Sequence, residues 1–360
     1  MADETIEHAG QVQPEKPKTP DAEVEQATVK EVISFFEEVS TVEDEQRRQE
    51  REDLEFEGVS SWLPEHLASR AEHTDEATGR KVPARPALSV PMLDQPIQQV
   101  ITEARQARLA ITVKPKAGLA NTKTAGHYKG LVRAIQVDSG ATEVRLWSLE
   151  RTVKAGRGAY LIRADFANDG DFDIDLIIER ILNQDTVYWD VYAQNADRSD
   201  AERCLITDWM SEDERKRRWP LKPLVVPDGA FEHADDQWFQ AETDQGQRRC
   251  RVATYYKVIH KEAILAHHPQ TGPMLLSAMP PELQAAVVAK APGTRTRTVD
   301  RRRVDIWIVD GSQVLEQHEW KGRYIPVIPT TGKEYNIRGK RSWKGMTCNS
   351  NDLVRAIQVI

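Results

Sequence analysis

Five aspartates lie within residues 165–175, and carboxylate oxygens at this density are the ligands that Ca²⁺ prefers. The spacing departs from that of a calcium-binding EF-hand loop, because Ala167 stands at the third position and Leu176 at the twelfth. We therefore predict an exposed loop between two strands, with a calcium site as the alternative. The cluster consists of Asp165, Asp169, Asp171, Asp173 and Asp175, with Gly170 among them.

Histidine and cysteine residues lack the spacing of metal ligands. The histidines that lie closest together have no glutamate at the helical spacing of an H-E-x-x-H zinc motif. The cysteines show no C-x-x-C pair, so we predict neither a zinc site nor a disulfide framework, but buried reduced thiols. The residues concerned are His260, His267 and His268, and Cys204, Cys250 and Cys348.

Two glycine-containing segments resemble nucleotide-binding loops only in part. Gly332-Lys333 is followed by Glu334, where a P-loop needs a Ser or Thr to bind magnesium. The segment 156–158, Gly-Arg-Gly, lacks the third glycine of a dinucleotide fingerprint and precedes a predicted strand rather than a helix. We interpret both as structural turns. With no G-x-S-x-G elbow either, the sequence predicts no catalytic residue and no bound cofactor or metal, hence no enzyme.

Charge is distributed unevenly along the 360 residues, whose net charge is −8. Residues 1–57 carry eighteen Asp/Glu against six Lys/Arg, whereas residues 290–344 carry thirteen Lys/Arg against six Asp/Glu. A basic segment of this kind indicates a surface that meets DNA or another partner, with a solvated hairpin face as the alternative. The candidate residues are Arg295, Arg297, Arg301, Arg302, Arg303, Lys340, Arg341 and Lys344.

The elements that position these residues begin after a polar, proline-containing tail. Residues 1–28 have too little apolar surface to offset the entropy of ordering, so we predict a disordered acidic tail. Apolar residues at helical spacing then predict a long, partly exposed helix over residues 29–54. No run approaches the roughly 18 apolar residues of a membrane helix, so we expect no membrane partner.

The middle of the chain mixes helices and strands without a regular βαβ alternation, which predicts an α+β fold. Helices are expected from Asp94 and over residues 128–154, the second interrupted at Ser139-Gly140, with a stripe of Tyr128, Leu131 and Ile135 on its buried side. Strands are expected at 111–113, 159–166, 174–178, 187–191 and 205–206, followed by a short helix capped by Ser211 and Glu214.

A smaller subdomain follows the polar segment 228–247. A strand at 251–259, a helix from Pro280 to Lys290 and a hairpin of residues 303–309 and 314–318 give it a strand-helix-hairpin order. The basic candidates 295–303 lie at the start of this hairpin.

Several separated motifs resemble those of one known family. Residues 319–329 read EWKGRYIPVIP and are followed by Gly345 and by Leu353-Val354-Arg355, similar to the family's W-x-G-K-Y-I-P-I-V-P and G-L-V-R. Residues 100–115 (VITEARQARLAITVKP) and the stretches DRSDA at 197–201 and TDWMS at 207–211 also match. In the same order, these motifs resemble portal proteins, the head-to-tail connectors of short-tailed, podovirus-like bacteriophages.

The resemblance implies a structural subunit of a twelve-fold homomeric ring, through which double-stranded DNA is packaged and ejected. It implies a place at the capsid portal vertex of the virion after assembly in the host cytoplasm, with terminase, scaffold, major capsid protein and tail adaptor as partners. By this resemblance, residues 29–245 are a wing-like body, 246–325 a stem and clip-like subdomain, and 326–360 the start of a second stem segment. A nucleic-acid-binding or processing component of the packaging machinery is the alternative.

One departure concerns the end of the chain. Family members continue with D-x-Q-R after L-V-R, whereas residues 356–360 here read AIQVI. We therefore expect a chain truncated at its C-terminus, with an incomplete stem.

Overall fold

The long helix α1 (Ala22–Gly58) contributes residues to both of the units into which the chain divides. The first unit comprises Met1–Phe35 and Leu205–Arg323, and the second comprises Phe36–Cys204 and Tyr324–Ile360. The computed structural model describes residues 22–58, 62, 67–68, 70–71, 73–74, 81–84, 92–107, 110–116, 121–168, 170, 172–223, 239–240, 249–268, 272–275, 295–348, 350–351 and 354. The predicted boundaries at residues 28, 245 and 325 stay predictions.

Helices and strands follow one another irregularly along the described residues, which confirms the predicted α+β class. After α1 come the helices α2 (Asp94–Gln106), α3 (Thr122–Asp138), α4 (Ala141–Ala155) and α5 (Glu212–Arg218). The strands are β1 (His73–Thr74), β2 (Lys81–Val82), β3 (Arg157–Phe166), β4 (Ile174–Arg180), β5 (Val187–Trp189), β6 (Arg203–Ser211), β7 (Phe239–Gln240), β8 (Arg249–His268), β9 (Gly272–Leu275), β10 (Arg295–Val309), β11 (Val314–Trp320), β12 (Val327–Thr331), β13 (Lys333–Ile337) and β14 (Lys340–Lys344).

A sheet forms the body of the first unit, with strands in the order β11-β10-β8-β6. Strand β10 is antiparallel to both neighbours, β8 and β11. Tyr255 of β8 is fully buried between Phe35 of α1 and Trp307 of β10, with ring centroids 5.8 and 6.2 Å away. Aromatic pairs at this separation attract beyond the apolar area they bury, so they fix α1 against the sheet. A second buried cluster contains Met210, Trp219, Cys250, Val252 and Leu315.

The second unit contains an antiparallel sheet of order β12-β3-β4, on which α3 and α4 pack. Val144 of α4 and Ile178 of β4 are buried together, and Ile135 of α3 packs against them. Strand β12 begins at the buried Val327 and extends the sheet beside β3, where Ile162 N donates to Pro326 O at 2.8 Å. The end of the family-like segment 319–329 thus begins the edge strand of this sheet.

The end of α4 and the residues after β14 approach each other so closely that only glycine fits. Gly156 ends α4 at φ +100°, and a Cβ there would lie 2.9 Å from Lys344 C. A Cβ on Gly345 would overlap the backbone of Lys154. Backbone groups use the space instead, since Met346 N donates to the carbonyl of Val153 at 2.7 Å. The interpretation of Gly156-Arg157-Gly158 as a structural turn is confirmed.

Several local predictions need correction. Helix α1 begins at Ala22, so residues 22–28 are helical rather than part of a disordered tail. Residues 111–113 form no strand, and the side chain of Ile111 is exposed. Tyr128 and Leu131 lie on α3 as predicted but are exposed, so only Ile135 of that stripe contacts the core. The predicted helix of residues 280–290 lies outside the described residues.

Other local predictions are confirmed. Ser211 caps α5 by accepting from Glu214 N at 3.3 Å, and the hairpin of β10 and β11 forms as expected. The three cysteines are free, with Cys204 and Cys250 buried and Cys348 half-buried.

The close approach at Gly345 predicts that Gly345→Ala destabilises the second unit. Inserting a methyl group against rigid backbone costs about 1–3 kcal/mol, which a lower urea midpoint by tryptophan fluorescence will report. Gly126→Ala is the matched control, because open space surrounds that helical glycine, and alanine there stabilises by about 0.5–1 kcal/mol. Equal midpoints for Gly345→Ala and the native chain would contradict the steric account.

Candidate functional site

The run of arginines in β10 divides between the two faces of the sheet, because successive strand residues point to opposite sides. Arg295, Arg297, Arg301 and Arg303 share one face, whereas Arg302 lies on the other. The structure therefore groups four of the five predicted arginines of this strand and separates the fifth.

The neighbouring strand adds a further cation to that face. Lys261 of β8 lies directly opposite Arg301 in the register of the antiparallel pair, so the two side chains are on the same side. Arg295, Arg297, Arg301 and Lys261 are exposed, and none forms an ion pair with another described residue. Arg295 and Arg301 are six residues apart, or about 20 Å along the strand. We call these four residues the basic strip.

Arg303 belongs to the same face but is neutralised by its surroundings. Its guanidinium donates two hydrogen bonds of 2.6 Å to the buried carboxylate of Asp305 and lies 3.5 Å from Glu319. The hydrogen bonds to Asp305 raise the pKa of Arg303, which outweighs its partial burial. On the opposite face, His260 is the register partner of Arg302. Its Nδ1 lies 2.5 Å from Asp300 Oδ2. Arg303 is therefore occupied by ion pairs within the sheet, whereas the side chains of the basic strip are available to contact a partner.

The other three basic candidates, Lys340, Arg341 and Lys344, are on β14 in the second unit, where they contact neighbouring residues. Lys340 pairs with Glu45 of α1 at 2.9 Å, and both side chains are exposed. Arg341 donates to the carbonyl oxygen of Gln194 at 2.9 Å and lies beside the Trp343 ring. Lys344 lies 5.9 Å from the Tyr335 ring. These contacts tie the hairpin of β13 and β14 to its own unit.

A largely buried ionic cluster, which was not predicted from the sequence, lies near this hairpin. Arg157 of β3 donates to Glu50 at 2.5 Å and approaches Glu43 at 3.0 Å, both on α1. Burial alone would lower the pKa of Arg157, but the two carboxylates raise it above its ordinary value. Burial conversely favours a higher pKa for Glu43, and the charges of Arg157 and Arg47 lower it. Both partners are therefore held in their charged forms.

Two further arginines extend the cluster around a small cavity. Arg47 donates to Val187 O at 2.8 Å, and Arg151 pairs with Asp185 and donates to Arg157 O. The cavity has a volume of about 30 Å³. At roughly 10–15 Å³ for each water molecule, it accommodates two or three of them. Its lining includes Arg47, Glu50, Arg151, Arg157, Gln184 and Arg198.

Arg198 is the member of this group with the least favourable electrostatics. Its side chain is buried, and burial followed by repulsion from Arg341 lowers its pKa. It donates to the carbonyl of Ala193 at 3.1 Å and lies over the Trp343 ring. Carbonyl oxygens and a ring face thus take the place of a carboxylate partner for Arg198.

Asp165 and Asp175 of the aspartate cluster lie on the paired ends of β3 and β4. Asp165 lies opposite Asp175 in the register, and Arg163 bridges Asp165 and Glu179 at 3.1 and 3.2 Å. Among the residues that the structure describes, no three His, Cys, Asp or Glu side chains come together as metal ligands. Asp169 and Asp171 lie outside those residues. Within the same part of the chain, no helix is both long and apolar enough to cross a membrane.

Comparison with known proteins gives two consistent similarities. The model of the phage P22-like portal protein family matches residues 33–359. A protein named "Portal protein" from Acyrthosiphon pisum secondary endosymbiont phage 1 is 23% identical over 291 residues. That match covers 77% of this chain and 39% of the relative, so the chain spans about two fifths of the relative's length.

A second buried ion pair generates a stability prediction for the first unit. Arg215 of α5 and Asp310 of the β10–β11 turn are fully buried, and Arg215 Nε donates to Asp310 Oδ2 at 3.1 Å. Asp310→Asn leaves the guanidinium charge without a counter-charge in the interior, so we expect a loss of about 3 kcal/mol.

Chemical denaturation followed by circular dichroism measures this loss. Glu179→Gln is the control, because it removes the same charge from an exposed pair, which contributes roughly 0–1 kcal/mol. An Asp310→Asn chain as stable as the Glu179→Gln chain would show that the buried pair is dispensable.

Proposed function

Since the chain belongs to the P22-like portal protein family, we propose that it is a structural subunit of a phage portal. In this role, copies of the chain form a ring that surrounds the channel for double-stranded DNA during packaging and ejection. The ring connects the capsid to the tail at the portal vertex of the virion. The observation that carries the proposal is the family match, which extends over residues 33–359 and includes elements of both units.

The chemistry of the described residues agrees with a structural role. Two arginines pair with buried carboxylates, Arg157 with Glu50 and Arg215 with Asp310, and both pairs join separate elements of one unit. The glycines that resemble nucleotide-binding loops serve close backbone packing. We therefore propose that the chain is not an enzyme, and that its residues hold a scaffold through which other components act.

We assign the basic strip to contact with the phosphate backbone of DNA. Four exposed cations spread along about 20 Å match a row of phosphates better than they match a single ligand. Each neutralised phosphate adds affinity, so a short strip on a chain of net charge −8 gives weak contact that permits sliding. Since Arg and Lys side chains bind phosphates rather than cleave them, we favour this passive role over the alternative of a DNA-processing component.

The proposed partners follow from the same position in the virion. They are further copies of the chain in a twelve-fold ring, the terminase during packaging, scaffold and major capsid protein around the ring, and a tail adaptor. Assembly in the host cytoplasm is part of this proposal.

Assembly state tests the proposed function directly. Light scattering of the purified chain should give a species of about twelve times the 40.9 kDa of one chain, and negative-stain images should show closed rings. A chain that stays monomeric at every concentration would contradict a ring-forming role for it.

The basic strip makes a separate prediction about DNA. Changing Arg295, Arg297 and Arg301 to Gln should weaken binding of duplex DNA equally for all sequences, measured by fluorescence anisotropy. Loss of three phosphate contacts should also reduce the slope of log K against log salt concentration by roughly 3.

The control carries the same change of charge at other exposed positions. Arg48, Arg51 and Arg217, all exposed and none of them on β10, are changed to Gln in one chain. Equal affinity for DNA and an equal salt slope for the two triple variants would contradict the proposed contact of the basic strip with DNA.

A further inference from the structure

The small cavity of the second unit has a surplus of positive charge around it. Glu50 is the one acidic residue among the described residues that line it, whereas four of them are arginines. Glu43 and Asp185 add two further carboxylates through ion pairs with these arginines. Four guanidinium groups and three carboxylates leave one positive charge without a counter-charge. The arginines are Arg47, Arg151, Arg157 and Arg198.

Three of the arginines share the carboxylates of this cluster. Arg47 and Arg157 lie 2.9 and 3.0 Å from the same carboxylate oxygen of Glu43. Arg157 and Arg151 lie 2.5 and 3.7 Å from the carboxylate of Glu50. Because these two carboxylates already serve two guanidinium groups each, the described part of the chain leaves the fourth arginine without an acidic partner at ion-pair distance.

Arg198 is this fourth arginine, and the fold holds it in an unfavourable position. The residue is 7% exposed, and its backbone adopts φ +53°, a conformation that residues other than glycine adopt uncommonly. Its Nη1 donates to the carbonyl oxygens of Ala193 and Asp190 at 3.1 and 3.4 Å. Its Nε and Nη2 donate to no acceptor among the described residues.

The surroundings of Arg198 leave its charge uncompensated. The carboxylate of Asp190 accepts from the backbone N–H groups of Tyr192 and Glu202 instead. Burial lowers the pKa of Arg198, and Arg341 lowers it more than Asp200 raises it. A buried guanidinium is unfavourable unless a counter-charge compensates it, so the cavity beside Arg198 favours a negatively charged occupant.

Two further N–H donors belong to residues that line the cavity. Arg47 Nε is buried and has no acceptor among the described residues, although buried N–H groups in proteins are almost always hydrogen-bonded. Gln184 accepts from Ala159 N through Oε1 at 2.9 Å, which orients its amide group and leaves Nε2 as a donor. The lining therefore offers donors from three residues, Arg198 included, to an acceptor inside the cavity.

We propose that this cavity binds a small monovalent anion of the chloride type. The anion supplies the one negative charge that the cluster lacks and accepts hydrogen bonds from Arg47 and Arg198. The volume of about 30 Å³ suits a chloride ion, which is only slightly larger than a water molecule, and excludes a nucleotide. Water in the same place satisfies the N–H groups but leaves the charge of Arg198 uncompensated.

The bound anion stabilises the second unit, whether or not the chain forms a ring. Its ligands come from α1 and from the segment between β5 and β6, which are distant in sequence. A ligand that binds the folded chain and not the unfolded chain raises the free energy of unfolding with its concentration. The stability of the native chain is therefore expected to depend on chloride.

Urea denaturation in two salts measures this dependence. The free energy of unfolding is obtained by tryptophan fluorescence in sodium chloride and in sodium gluconate of equal ionic strength, so that screening of surface charges is the same. Gluconate is too large for the cavity. A tenfold increase in chloride above its dissociation constant should stabilise the native chain by about 1.4 kcal/mol more than the same increase in gluconate.

Two variants separate the cavity from general effects of salt. Arg198→Gln removes the uncompensated charge, so chloride should stabilise this variant no more than gluconate does. Arg163→Gln is the matched control, because it removes the same charge from an exposed ion pair with Asp165 in the same unit. The control should respond to chloride as the native chain does. An equal response to chloride in the two variants would overturn the proposal.

A crystal of the native chain soaked in sodium bromide provides a direct measurement that needs no variant. Bromide has the charge of chloride and a similar size, and its anomalous scattering locates it. We expect a bromide peak in the cavity, within hydrogen-bond distance of Arg47 Nε or of the Arg198 guanidinium. A cavity that holds water alone, with bromide only at other sites or at none, would overturn the proposal.

Discussion

The second unit depends on the largely buried Arg157, whose charge is compensated by Glu43 and Glu50. A guanidinium in the interior is unfavourable unless its counter-charges are held in place, and here they come from a helix distant in sequence. The position of α1 relative to β3 within this unit is thereby fixed by charge as well as by apolar contact. Trp343 of β14 lies over Arg157 and Arg198 and joins the hairpin of β13 and β14 to the same cluster.

The first unit shows how strand geometry converts a sequence run into a surface. Arg301, Arg302 and Arg303 are adjacent in sequence, yet the alternation of β10 gives them three environments: exposed, opposite-facing and ion-paired. The surface that remains is formed by residues two apart, joined by Lys261 from the neighbouring strand. The number of arginines in residues 295–303 is therefore larger than the number of positive charges that a partner can contact on one face.

Predictions from sequence succeeded where the signal is local. Spacing of apolar residues located α3 and α4, Ser211 marked the start of α5, and Gly156 marked the end of α4. The family-like motifs identified the family, and Gly345 among them has a steric reason. The exposure of Tyr128 and Leu131 was not predicted, because helical spacing does not show whether another element packs on an apolar stripe. The pairing of Arg157 with Glu50, 107 residues away, also left no local trace.

The discontinuity of the second unit bears on the order of events during synthesis. Strand β12 must pair with β3, but residues 205–323 are made between them. At roughly 5–20 residues per second, the ribosome spends about 6–24 s on that interval. The edge of β3 that β12 later covers is therefore unpaired in the nascent chain while the first unit emerges. Because synthesis proceeds from the N-terminus to the C-terminus, the β12-β3-β4 sheet can be completed only after this delay.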